Sequence, residues 1–254
     1  MANGSQSGSN SWSWFIGGCL FAIVAFGLVV CGAGFMLVKW GQGVERELKD
    51  PATRTEKAKR VLGATELPEG YYAMVALSIP YIADIAVLTD KAPDDKGNIP
   101  GFGARGLIYM RSMRLGGNPK EIEDFVTGKT DDVDALRRNK INIGPGDVLA
   151  RGTLEGRAGA EKLLYLVKRG SVQMNEHSVQ GMSALVMPQC ASTDGKQRIA
   201  IWFCPEPEAA KGLKPDAADP AGSAAAVGAA LAGSCGDPQE IAAFMDHFRP
   251  CGGP

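Results

Sequence analysis

The chain has 254 residues, 45% of them apolar, and its 27 basic and 28 acidic side chains leave a net charge of −1. This length allows one or two globular domains, and the near-neutral charge gives no long-range attraction to nucleic acid, so we expect no nucleic-acid partner. The charges are unevenly placed, because residues 1–38 contain no Asp, Glu, Lys or Arg.

The uncharged N-terminal segment has two parts. Residues 1–13 are rich in Ser, Asn and Gly and are predicted to be disordered. Residues 14–38 are almost wholly apolar and, at a rise of ~1.5 Å per residue, are long enough to cross the ~30 Å hydrocarbon core as a helix. We therefore predict one transmembrane helix. A buried core helix is disfavoured because the run is apolar on every side, and a cleaved signal peptide because no basic residue precedes it.

Small residues lie on two sides of this predicted transmembrane helix. They are Gly18, Ala22 and Ala25 on one side and Gly27, Cys31 and Gly34 on the other. Small residues three or four positions apart let membrane helices approach closely, so these six are candidates for helix packing and self-association. Glycine is also ordinary in membrane spans, and this simpler interpretation is the one we favour.

Two signals disagree about the side of the membrane on which the rest of the chain lies. Several Lys and Arg residues follow the apolar run and none precedes it, which favours a cytoplasmic domain. Cys190, Cys204, Cys235 and Cys251 favour the opposite side, because an even number of clustered cysteines without a C-x-x-C pair indicates disulfides rather than a zinc site. We favour an extracytoplasmic domain, with four reduced thiols in a cytoplasmic domain as the alternative.

Chain geometry narrows the disulfide pairing to two schemes. Cys190 and Cys204 flank a predicted hairpin turn about five positions out of register, which at ~3.3 Å per residue exceeds the ~7 Å Cα limit for a bridge. Cys235 and Cys251 bracket a predicted helix about 15 Å long. We prefer Cys204–Cys235 with Cys190–Cys251, which closes the Ala/Gly/Pro-rich segment and fixes the last helix to the sheet. The alternative is Cys190–Cys235 with Cys204–Cys251.

Residues 67–254 are predicted to form a soluble α+β domain in which an antiparallel sheet carries helices on one face. The juxtamembrane segment before it, residues 39–66, is either a solvated stalk or a helix that lies on the domain. Alternation and turn residues predict strands at 72–78, 82–89, 106–111, 147–156, 162–172, 182–188 and 198–204. Capping residues predict helices at 120–127, 133–138 and 239–248. Residues 205–234 are rich in Ala, Gly and Pro and are predicted to be a mobile loop.

Two of the predicted helices begin alike. N-P-K-E-I follows one strand-rich stretch at Asn118 and D-P-Q-E-I follows another at Asp237. This match would be explained if the domain consisted of two βββα-like halves that arose by duplication. The alternative, which we favour, is that the same common helix-capping sequence occurs at two unrelated helices.

Few residues suggest chemistry. Gly101–Gly106 fits G-x-G-x-x-G but lacks the preceding strand and following helix of a dinucleotide site. The acidic segment that contains Asp131, Asp132 and Asp134 lacks the Gly and the closing Glu of a calcium loop, so these residues are interpreted as helix caps. His177 and His247 are the only histidines and are interpreted as surface or capping residues. No catalytic residue, cofactor or metal site is predicted.

These observations favour a single-pass membrane protein whose soluble domain is a non-enzymatic binding or interaction module. Its expected partners are the lipid bilayer and a protein, either a separate partner or a second copy through the transmembrane helix. The alternative is a membrane-anchored hydrolase with an unrecognised active site. A deep polar pocket holding His177 or His247 beside a carboxylate would favour the hydrolase, and a flat or grooved apolar surface the binding module.

Overall fold

The structure, a computed structural model, describes residues 50–95, 97, 101–113, 118–132, 134–138, 146–156, 159–174, 177–191, 195–213 and 220–252. The predicted disordered segment 1–13, the transmembrane helix 14–38 and its six small residues lie outside these ranges and stay predictions. Within them, no helix combines the length and the apolar character that crossing a membrane requires.

The described part of the chain is an α+β domain with one antiparallel sheet, as the sequence predicts. Its strands are β1 (Tyr72–Ile79), β2 (Ala83–Thr89), β3 (Gly106–Met113), β4 (Val148–Glu155), β5 (Lys162–Met174), β6 (His177–Gln189) and β7 (Lys196–Cys204). Its helices are α1 (Pro51–Leu62), α2 (Pro119–Val126), α3 (Asp134–Arg138), α4 (Pro220–Leu231) and α5 (Pro238–Met245), with a 3-10 turn at Glu208–Ala210.

The seven strands lie in the order β1-β2-β3-β7-β6-β5-β4. Two meanders, β1 to β3 and β4 to β7, therefore meet in the middle, where β3 and β7 pair antiparallel from Gly106 opposite Phe203 to Met113 opposite Lys196. The chain leaves β3 through α2 and α3, starts again at the far edge with β4, and returns to the centre. The strand predictions thus hold, while the sheet order depends on one long-range pairing.

Helices cover both faces of the sheet, so our prediction of helices on one face is wrong. Strand β5 shows the reason, because side chains alternate between faces along a strand. Leu163 and Val167 join the larger core with α1, α4 and α5, whereas Leu164 and Leu166 join a second core with α2 and α3. With apolar residues on both sides, the strand needs cover on both faces.

The similar starts of α2 and α5 do not reflect two equivalent halves. Each helix has the predicted cap, since Asn118 accepts a hydrogen bond from the amide of Lys120 at 3.1 Å and Asp237 from that of Gln239 at 2.9 Å. However, α2 packs in the second core and α5 in the larger one. A two-fold rotation exchanging β3 and β7 would keep equivalent helices on the same face. The shared start is therefore helix-capping chemistry.

Helix α1 lies on the domain, which is one of the two predicted alternatives for this segment. Asp50 caps its first turn by accepting from the amide of Thr53 at 3.0 Å, and Gly63 ends it with a φ of +66°. The guanidinium of Arg54 is buried and donates from Nε to the carbonyl of Ala73 in β1 at 2.6 Å. This bond ties the helix to the sheet edge.

The segment 205–234 is not the loop that we predicted, because residues 220–231 form α4. Val227 and Leu231, four positions apart, share a side of this helix and are 4% and 1% exposed in the larger core. Alanine, the commonest residue of the segment, has the highest intrinsic helix propensity. The small-residue composition of the segment concealed a helix that has two large buried side chains.

Arg169 holds the start of the same segment. Its guanidinium lies 2.6 Å from the carboxylate of Glu206 and donates to the carbonyls of Ala210 at 2.6 Å and Leu213 at 3.0 Å. A further ion pair joins it to Asp147 at 3.1 Å. One side chain on β5 therefore fixes the backbone that leaves β7.

Both preferred disulfides are present. Cys190 pairs with Cys251 at a Cα separation of 5.4 Å, and Cys204 pairs with Cys235 at 6.0 Å. In the β6–β7 register Cys204 lies opposite Met182, far along the strand from Cys190, so these two cannot pair. The first bridge fixes the chain after α5 to the end of β6, and the second closes the segment that contains α4.

Candidate ligand-binding cleft

A cleft of about 500 Å³ lies between α2 and the adjoining ends of β6 and β7. Ile122 and Phe125 fix its helix wall, because both are buried against the second face of the sheet. Lys120, Glu123 and Asp124 of the same helix line the cleft. The buried side of α2 thus positions its polar side along the cleft.

Gln197 forms part of the sheet wall. It lies two residues before Ile199 and shares its face, because side chains alternate along β7. Ile199 is buried in the core beneath α2. The Nε2 of Gln197 is buried and has no hydrogen-bond partner among the described residues. A buried amide without a partner is costly, so this nitrogen is a donor suited to an incoming acceptor.

Basic residues outnumber acidic ones in the lining of the cleft. Four of its described lining residues are basic, namely Lys120, Lys129, Lys196 and Arg198, and two are acidic. Each acidic side chain already lies beside a lysine. Glu123 is 3.5 Å from the Nζ of Lys162, and Asp124 is 3.4 Å from that of Lys129. The carbonyl of Pro250 occupies Arg198 and Asp124 pairs with Lys129, so Lys120 and the amide of Gln197 are the groups that favour a ligand with negative charge and hydrogen-bond acceptors.

The Cys190–Cys251 bridge stiffens the sheet side of the cleft. Cys190 lines the cleft itself, and its partner follows Pro250 at the end of the described chain. The buried Arg198 donates from Nε to the carbonyl of Pro250 at 2.8 Å. A covalent bond and a buried hydrogen bond thus hold the C-terminal residues against β6 and β7, so the disulfide cysteines act as supports of the cleft.

The glycines of Gly101–Gly106 make room for side chains at the other end of the sheet. Gly103 faces the carboxylate of Asp90, and Gly106 faces the ring of Phe203, so closely that a Cβ on either glycine would collide. Asp90 also accepts from the amide of Arg105 at 3.1 Å. A strand follows these glycines, and no helix N-terminus stands there to receive a pyrophosphate.

The acidic cluster before α3 is occupied by arginines. Asp131 lies 2.7 Å from Arg151, and Asp132 lies 2.7 Å from Arg138. The side-chain hydrogen bond from Arg138 lowers the pKa of Asp132. Asp132 also accepts from the amide of Asp134 at 3.0 Å, as the cap interpretation predicts. Among the described residues no group of three or more His, Cys, Asp or Glu side chains could hold a metal ion.

His247 does not line the cleft. His247 is exposed just after α5, on the larger-core side of the sheet, with its ring 6.4 Å from that of Phe248. The backbone of His177 begins β6, and its side chain lies outside the described part of the structure. The described residues that line the cleft therefore include no histidine beside a carboxylate, the arrangement that would favour a hydrolase.

Sequence reasoning missed the cleft residues Lys120 and Gln197. They are far apart in the chain and come together only because α2 packs across the β6–β7 end of the sheet. No model of a protein family matches this chain, and no curated protein or solved structure matches it. The chemistry of these side chains is therefore the guide to what the cleft binds.

Proposed function

We propose that this chain is a membrane-anchored, non-enzymatic binding module that takes an anionic, acceptor-rich ligand in the cleft between α2 and β7. The observation that carries the proposal is the buried Nε2 of Gln197 in a cleft whose basic residues outnumber its acidic ones. Its volume of about 500 Å³ suits a small molecule or a few residues of a peptide. Carboxylate groups satisfy both the charge and the amide donor.

Two features support the anchored, extracytoplasmic setting. Disulfides persist in oxidising compartments, and this domain has two. The apolar segment at 14–38 supplies the anchor. The alternative of a hydrolase gains no specific support, because His247 lies outside the cleft.

The ligand proposal is tested by isothermal titration of the full chain in detergent micelles, with citrate and N-acetylglutamate as probes. We expect at least one probe to bind with a Kd of micromolar to low millimolar order. Gln197→Leu and Lys120→Met should each weaken it at least about fivefold, since a charge-assisted hydrogen bond contributes ~1.5–3 kcal/mol. Lys91→Met, at an exposed lysine outside the cleft, is the control. Absence of binding by both probes, or equal Kd values for all variants, would reject the cleft.

Anchoring and compartment are tested separately. Full-length protein should stay in the membrane pellet after carbonate washing, and its four domain cysteines should resist thiol labelling when it is taken from its native compartment. Recovery in the soluble wash would overturn the anchor. Four reactive thiols would place the domain in the cytoplasm, as the basic flank after residue 38 suggests.

A further inference from the structure

The turn between β1 and β2 holds a tyrosine where the backbone favours glycine. Ile82 donates its amide to the carbonyl of Ile79 at 3.0 Å, which closes a four-residue turn with Pro80 second and Tyr81 third. The φ of Tyr81 is +65°, and no other non-glycine residue in the described ranges has a positive φ. Proline second and a positive φ third define a type II turn, whose third position usually holds Gly or Asn. The tyrosine is therefore conformationally strained.

Burial of the ring does not compensate for this strain. Tyr81 is 87% exposed, and its neighbours Ile82 and Met113 are 51% and 49% exposed. The amide of Met113 donates to the carbonyl of Ile82 at 2.9 Å, so β3 presents its methionine beside the turn. We refer to Pro80, Tyr81, Ile82 and Met113 as the hairpin tip. A strained residue that projects an aromatic ring into solvent indicates a function outside the fold.

The β1–β2 side of the hairpin tip is uncharged. Residues 71–83 contain no Asp, Glu, Lys or Arg. The nearest charges in these strands, Asp84 and Arg111, lie 2.9 Å apart, are largely buried and neutralise each other. No charged group of β1 or β2 would therefore be desolvated if the tip entered a less polar medium. On the β3 side, Lys196 lies opposite Met113 and Arg114 follows it in the sequence, and long basic side chains can keep their charge at the level of the lipid headgroups.

We propose that the hairpin tip inserts into the headgroup layer of the membrane in which the same chain is anchored, an inference that depends on the proposed anchor. Residues 39–50 join the predicted transmembrane helix to α1 and span at most about 40 Å at ~3.3–3.6 Å per residue. A compact domain of this size has a radius of gyration of about 17 Å. The tip therefore stays within reach of the lipid surface.

The tether also explains how three side chains suffice. A short linker gives an effective concentration of millimolar order, so a contact too weak to recruit a soluble protein is populated. Tyrosine rings favour the membrane–water boundary, and the flanking Ile and Met side chains add apolar area. Insertion would fix the orientation of the domain on the membrane.

Photocrosslinking tests the contact. Tyr81 is replaced by p-benzoylphenylalanine in the full chain, which is reconstituted in phosphatidylcholine vesicles and irradiated, and lipid adducts are measured by mass spectrometry. Tyr72, at the opposite end of β1 and 39% exposed, is the matched control position. We expect at least fivefold more lipid adduct at position 81. Equal yields, or none at 81, would overturn the proposal, as would a protein adduct in place of lipid in membranes of the expressing cell.

Two further measurements separate the possible failures. If carbonate washing extracts the full chain, both the membrane anchor and the insertion of the hairpin tip are rejected. If the chain stays in the membrane but position 81 gives no lipid adduct, only the insertion of the hairpin tip is rejected. Tyr81→Gly keeps the turn and removes the ring, so it guards against a label that perturbs the fold. In vesicles, the amides of Ile82 and Ala83 should exchange hydrogen several-fold faster in this variant than in the parent chain. Equal exchange rates would contradict insertion.

Discussion

Removal of the Cys204–Cys235 bridge is the sharpest test of how this domain is stabilised. The bridge closes a loop with a sequence separation of 31 that contains α4. In the chain-entropy model, a loop of this size stabilises the folded state by about 4 kcal/mol. Both cysteines are buried, so alanine is the appropriate replacement and leaves only small voids in place of the sulfur atoms. For a domain of about 200 residues, the expected fall in Tm is roughly 8–16 °C.

The assay is guanidinium and thermal unfolding of the full chain in detergent micelles, comparing the parent with the double variant Cys204→Ala, Cys235→Ala. Cys19→Ala with Cys31→Ala is the matched control, because both residues lie in the predicted transmembrane segment and form no bridge in the domain. The control should leave the unfolding midpoint unchanged. A loss below about 1 kcal/mol in the test variant would show that loop closure is not what the bridge contributes.

Three further predictions follow from individual side chains. Arg169→Met should lower the free energy of unfolding by about 2–3 kcal/mol in guanidinium titrations, because it leaves the carboxylate of Glu206, which is 14% exposed, without its partner. The control Arg137→Met removes an exposed ion pair and should change the free energy of unfolding by less than about 0.5 kcal/mol. Tyr81→Gly should leave it unchanged or raise it by up to about 1 kcal/mol, because glycine adopts a positive φ without steric cost, and a clear loss would contradict the strain. Burial lowers the pKa of Lys168 in the folded domain, so the unfolded chain holds the ammonium proton more tightly. The free energy of unfolding should therefore rise as the pH rises towards the unfolded pKa of about 10.4. Urea midpoints measured across pH ~8–10 should show this rise in the parent chain and lose it in Lys168→Met.

Local patterns predicted the elements well and their arrangement poorly. The alternation in residues 198–204 and the caps at Asn118 and Asp237 are signals within a few residues, and each marks an element that is present. Helix α4 was missed because an Ala- and Gly-rich segment fits both a loop and a helix, and Val227 and Leu231 are its only large apolar residues in the core among those whose side chains are described.

The sheet order and the cleft were beyond local patterns for the same reason. Pairing of β3 with β7 joins strands separated by two helices and three other strands, and nothing in either strand specifies that partner. The second core was equally hidden, because β5 is apolar on both faces and a single sequence does not say which helix covers which side. Since α2 meets the β6–β7 end only through that core, Lys120 and Gln197 carry no shared sequence signal.

The central β3–β7 pair also dictates the order in which the domain can be completed. Synthesis proceeds at ~5–20 residues per second, and roughly eighty residues separate Met113 from Lys196, so β3 waits on the order of ten seconds for its neighbour. During that interval one side of the first meander is an open edge, which is a template for pairing with other chains. We expect the nascent chain to need protection from a chaperone over this interval, and truncation before residue 196 to give an aggregating product.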